Sequence, residues 1–180
     1  MLDYIILGVL CSDSLSGYDI RKCIEHGIGM FYKASYGSIY PILTKLTKEG
    51  CVSCEEEKGM KKRKVYTIQP KGKEKFQEWL KDLEETGGSI ETFMAKVFFF
   101  DQLPYETVVK QIDTYEKSLK DYLNVLLEKK KQFEGLKNQD DFYYKLSTLY
   151  FGICKLQSII LWCQTVKEKA PLQELIQPMK

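Results

Sequence analysis

The sequence predicts a mainly α-helical protein in which a winged helix-turn-helix domain is followed by an all-helical domain, and three observations carry that prediction. Three short helix-like segments precede two β-prone runs joined through a glycine. A glycine-containing break, TGGS, follows at 86–89. From there to the end, apolar residues recur only at helical spacing. Three helices followed by a hairpin is the order of a winged helix, and the break divides 1–86 from 87–180.

The first segment, YIILGVLC from Tyr4 to Cys11, is a compact apolar helix. The run DSLSGYDIRKCIEHGIG then supplies a break and a second helix. Ser16 is placed to cap it, Asp19 sits near its positive end, and Gly27 and Gly29 stop it. The third segment, SYGSIYPILTKLTKEG, contains a proline. A helix that starts between Ser35 and Ser38 puts Pro41 in or near its first turn, where a missing N–H matters least, so the proline sets the start of the helix. CVSCEEE and RKVYTIQ flank KGMKK, with Gly59 in the turn, and form a hairpin. Pro70 opens a fourth helix with Phe76, Trp79, Leu80 and Leu83 on one face.

After the break, IETFMAKVFFF is one helix, and Pro104 starts another that runs to about Phe133. The loop Gly135 to Asp140 leads to the last helix. Val108, Ile112, Tyr115, Leu119, Tyr122 and Leu126 alternate four and three apart. Phe142, Leu146, Leu149, Ile153, Leu156, Ile160 and Cys163 repeat the pattern, so two long antiparallel helices with facing seams are expected. The stretch from Leu146 to Cys163 is about long enough to cross a bilayer. Lys155, Gln157 and several hydroxyls interrupt it, so a buried packing helix, and no membrane, is the expectation.

Composition narrows the function. The chain has 180 residues, is 44% hydrophobic and 29% charged, and carries 27 Lys and Arg against 25 Asp and Glu for a formal net charge of +2. Any anion-binding surface must therefore be local. The N-terminus lacks the basic start of a secretory leader, since Asp3 stands there, so a reduced cytoplasmic protein is expected, with its six cysteines mostly acting as small hydrophobes. Cys51 and Cys54 form a C-x-x-C with no second pair at zinc spacing. His26 is the only histidine, so neither a metal nor another cofactor is expected. No nucleophile–base–acid set or phosphate loop is visible, which argues against an enzyme. Redox sensing through Cys51 and Cys54 would need an exposed thiol of low pKa.

The local anion-binding surface is found on the third helix. At 100° per residue, Ile39, Ile42, Leu43 and Leu46 form one stripe. The opposite face carries Gly37, Pro41, Thr44 and Lys48, flanked by Ser38, Tyr40 and Lys45, with no acid among them. Hydroxyls, an aromatic and lysines suit a major groove, and small residues near the helix start let the backbone approach. KGMKKRK, Lys58 to Lys64, has five basic residues in seven positions and suits a wing on the DNA backbone or minor groove, although Glu55, Glu56 and Glu57 precede it.

YIILGVL at the start, LSGYDI at 15–20, GSIYPILTKLTKEG at 37–50 and RKVYTIQPKG at 63–72 together resemble the PadR family of bacterial transcriptional regulators over roughly the first 85 residues. The sequence departs from the family pattern at three positions. Ser16 stands where members often carry His, Thr47 where Glu commonly follows the leucine, and Gln69 where Thr usually precedes the fourth helix.

The resemblance implies a winged-helix DNA-binding domain, a homodimer built by an all-helical dimerisation domain, and repression relieved by a small molecule. Tyr36, Gly37, Ser38, Tyr40, Pro41, Thr44, Lys45 and Lys48 are the expected recognition-helix residues on a pseudo-palindromic double-stranded operator. Lys61, Lys62 and Arg63 are the expected phosphate clamps. Phe93, Phe98, Phe99 and Phe100, with Tyr150 and Trp162, are candidates to line a pocket for a small aromatic effector; ordinary core packing is the competing reading. The rival function is a helical protein–protein interaction module without sequence-specific DNA binding. Salt-dependent binding to duplex DNA separates the two.

Overall fold

The computed structural model describes residues 1–32, 36–57, 63–83, 89–134 and 142–176. The expected turn at Gly59, the glycines of the break and the loop at 135–140 lie outside the described residues. The described residues form two compact units, Met1–Pro104 and Tyr105–Lys180.

In the first unit α1 (Leu2–Leu10), α2 (Gly17–His26) and α3 (Ile39–Lys48) precede a hairpin of β2 (Val52–Glu57) and β3 (Arg63–Ile68), followed by α4 (Pro70–Lys81) and α5 (Ile90–Val97). Ser16 caps α2 as expected, its hydroxyl accepting from the Asp19 N–H at 3.2 Å. The helical segments and the hairpin strands follow the expected order, but α4 ends before Leu83 and α5 ends at Val97, short of the three phenylalanines assigned to it. The additional element is β1 (Leu15–Ser16), which pairs antiparallel with β3 through Leu15–Tyr66 and Ser16–Val65 and completes a three-stranded sheet in the order β1-β3-β2. Two residues are too few to show period-2 patterning.

The core is apolar and aromatic. Ile5, Ile6, Leu7, Ile20, Leu43, Leu46, Phe76 and Leu80 are almost wholly excluded from solvent. Tyr4 stacks on Trp79 with ring centres 5.0 Å apart. Gly8 lets α1 pass close to two rings, since a Cβ there would lie 2.7 Å from Phe76 and from Phe99. Packing carries this unit past the glycines at which the sequence was divided. Phe93, Phe99 and Phe100 are buried, Phe99 meets Phe76 edge-on at 5.3 Å, and the buried Lys96 ammonium donates to the Asp82 carbonyl at the end of α4. Phe99 and Phe100, after α5, thus belong to the core of the winged-helix unit, while Phe98 is exposed.

The second unit pairs α6 (Tyr105–Glu134) with α7 (Tyr143–Glu168). They run antiparallel: the Tyr105 hydroxyl donates to the Lys167 carbonyl at 2.7 Å, and at the other end the Tyr150 hydroxyl donates to the Glu134 carboxylate at 3.2 Å. Ile112, Tyr115, Leu119 and Leu126 face inward, as do Ile153, Leu156, Ile160 and Cys163. Two expectations change here. Tyr122, assigned to the seam, is exposed, because a straight α-helix drifts off a strict seven-residue repeat. α7 is also not a buried helix within this chain: Tyr143, Tyr144, Phe151 and Leu161 are exposed, and by length and composition the helix could cross a membrane.

Candidate nucleic-acid interface

The third helix starts and stops by defined devices. A short 3-10 turn, Tyr36–Ser38, leads into it, and Pro41 occupies its third position. At the other end Gly50 takes a φ of +71°, and the Gly50 N–H bonds to the Thr47 carbonyl and the Cys51 N–H to the Leu46 carbonyl. That pair of bonds closes the helix and turns the chain into β2, and only glycine adopts this φ without strain.

With Ile39, Leu43 and Leu46 buried, the opposite face is fixed. Gly37, Tyr40, Pro41, Thr44, Lys45 and Lys48 are all exposed, and Ser38 is half-buried. Thr44 Oγ1 donates to the Tyr40 carbonyl at 3.0 Å, which turns the hydroxyl back onto the helix. The side chain of Tyr36 lies outside the described residues, as do Lys61 and Lys62.

Two features of this surface were not legible beforehand. Lys45 stands 3.9 Å from the Asp3 carboxylate and 3.8 Å from that of Glu49, so its charge is offset by an acid distant in sequence. Glu49 in turn meets Lys75 at 2.9 Å, and that hydrogen bond holds its carboxyl below the usual carboxylate range. Arg63, at the root of the wing, reaches back across the sheet to Asp19 and Ser16 at the start of α2.

Between α2, α3 and the wing lies a groove of about 720 Å³ lined by Gly17, Tyr18, Asp19, Tyr40, Arg63, Lys64 and Tyr66 among others. Gly17 admits the Tyr40 ring, which would lie 2.7 Å from a Cβ at that position. The Tyr66 phenol is pushed up by burial and by the neighbouring Cys54 thiol, its Cα partner across the hairpin. Cys51 is buried and Cys54 half-buried, both as free thiols. Among the described residues no group of three or more His, Cys, Asp or Glu side chains could hold a metal, and His26 is exposed at the end of α2.

The expected effector aromatics are distributed over both units. Phe98 and Phe99 line a recess of about 540 Å³ with Gly8, Val9, Leu15 and Cys23; Phe93 and Phe100 are core; Tyr150 and Trp162 belong to the second unit.

Residues 6–78 match the model of the transcriptional regulator PadR-like family, and residues 91–170 match that of the virulence activator alpha C-terminal region. The negative transcriptional regulator PadR of Bacillus subtilis is 36% identical over 106 residues, which is 57% of this chain and 58% of the relative, so the chain matches little more than half of that relative's length. Among solved structures, Bacillus subtilis PadR in complex with operator DNA is 25% identical, with 93% of this chain and 98% of that chain covered and a TM-score of 0.43. The same protein in complex with p-coumaric acid gives 25% identity, coverage of 93% and 97%, and a TM-score of 0.42. The chain is thus similar to PadR-like transcriptional regulators over residues 6–78 and to the virulence activator alpha C-terminal region over residues 91–170.

Proposed function

We propose that this chain is a sequence-specific DNA-binding transcriptional regulator that works as a cytoplasmic homodimer. Two copies of α3 would enter successive major grooves of a pseudo-palindromic site, roughly 34 Å apart, with the wings on the flanking backbone. The observation that carries this reading is the outer face of α3: hydroxyls, an exposed tyrosine and lysines, held outward by three buried apolar anchors. The second unit, Tyr105–Lys180, serves as the dimerisation domain in this reading, and the exposed aromatics of α7 supply apolar area for a second copy to cover.

The name of the Bacillus subtilis relative, a negative transcriptional regulator, favours repression. Its solved complex with p-coumaric acid favours a small aromatic effector, for which the Phe98–Phe99 recess is the site of suitable size and lining. The test is binding to the protein's own upstream intergenic DNA and to a scrambled duplex of equal length, titrated across salt. Tighter, competition-resistant binding to the first is the expected result. Equal, weak binding to both would favour the interaction-module reading. Lys62→Ala should lower the salt slope by about one on both duplexes, as for any phosphate contact.

A further inference from the structure

We infer that Arg63 is not a phosphate clamp but half of a neutral tie: Asp19 and Ser16 hold its guanidinium at the start of α2, seating the wing beside the recognition helix. The inference rests on the DNA-binding reading above and reassigns one of its residues.

The geometry is specific. Arg63 Nη2 donates to the Asp19 carboxylate and, at 3.2 Å, to Ser16 Oγ. Ser16 Oγ donates to Asp19 Oδ2 at 2.7 Å and accepts from the Asp19 N–H at 3.2 Å. Its one proton and both lone pairs are thus engaged, and a single hydroxyl caps α2 while joining the wing. The backbone makes the same junction, because Ser16 pairs with Val65 in the sheet. The Asp19 carboxyl is held below its usual range, first by the Ser16 hydroxyl and then by Arg63.

The side chains are 52% and 31% exposed, so an isolated pair of this kind would add little to stability. Its effect on DNA binding is different in kind. A phosphate that drew Arg63 away would leave the Asp19 carboxylate unpaired in the same groove, facing a like charge. The pair therefore presents no net charge to the backbone, whereas Lys48 and Lys64 on the same surface have no carboxylate within bridging distance among the described residues.

Salt titrations of the full chain on the same two duplexes test this. Arg63→Ala should leave the slope of log K against log salt on the scrambled duplex at the wild-type value, while lowering the preference for the upstream DNA several-fold as the wing loses its seat. Asp19→Asn, which leaves the Ser16 cap of α2 in place, should steepen that slope by about one, because the arginine becomes available to phosphate. Combining both substitutions should restore the wild-type slope, and Arg63→Gln should repeat the result of Arg63→Ala. A slope lowered by about one in Arg63→Ala alone, with wild-type binding intact, would overturn the tie. Wild-type protein that binds neither duplex would overturn the DNA reading itself, and the tie's role with it.

Discussion

The helices α3 and α7 each leave one face uncovered, and the two faces could hardly differ more. α3 buries Ile39, Leu43 and Leu46 and turns out Tyr40, Thr44, Lys45 and Lys48; α7 buries Ile153, Leu156, Ile160 and Cys163 and turns out Tyr143, Tyr144, Phe151 and Leu161. A polar face is stable in water without a partner. An exposed aromatic face of that extent is the more common mark of an interface. On the function proposed above, the chemistry of each uncovered surface suits a different partner: a polyanion for the first unit, apolar surface for the second.

The largest expected effect breaks the second half of the comparison. Phe151→Glu with Leu161→Glu should turn a dimer into a monomer by sedimentation and weaken binding to a two-half-site duplex by roughly 100-fold, since the second head then binds without linkage. A variant that stays dimeric would place the interface elsewhere.

Next comes the charge inside the helix pair. Burial pushes Glu116 up, but hydrogen bonds from Lys120, Gln164 and Lys167 outweigh it and bring the carboxyl down from 4.5 to about 2. A carboxyl depressed in the folded state stabilises it above its unfolded pKa, and that stabilisation is lost as pH falls from about 4.5 to about 2. Each tenfold change in proton affinity is worth about 1.4 kcal/mol, so the loss is on the order of 3 to 4 kcal/mol. Thermal melting of the wild type between those pH values should therefore show a steep fall in stability that Glu116→Gln flattens. An unchanged pH profile in the variant would assign the acid sensitivity to other groups.

Smaller effects test the polar face. Thr44 is exposed on the outer face of α3, with its hydroxyl bonded to the Tyr40 carbonyl. Thr44→Ala should change the preference among operator variants by about 1 to 2 kcal/mol, read by competition binding, with little change on scrambled DNA. Lys48→Ala should do the converse, weakening both duplexes alike and lowering the salt slope by about one. A change in sequence preference in Lys48→Ala would move that residue from phosphate to base contact.

Much of this fold was legible because its signals are local. The Ser16 cap, Pro41 at the helix start, Gly50 at its end and the hairpin register each depend on residues within a few positions of one another. The tie from Arg63 to Asp19 and the approach of Asp3 to Lys45 span 44 and 42 residues, and no periodicity announces them. The end of the first unit was hidden for a related reason: Phe99 joins its core through Phe76, a residue distant in sequence.

By itself the sequence determined the order of elements, the buried stripe of α3 and hence the residues it turns outward, because helical spacing and terminal caps are properties of the local chain. Only the tertiary structure decided which of those outward charges remain free. Lys45 and Arg63 are offset by carboxylates that folding brings to them, because the field at a surface depends on distances in space and not on positions in the chain.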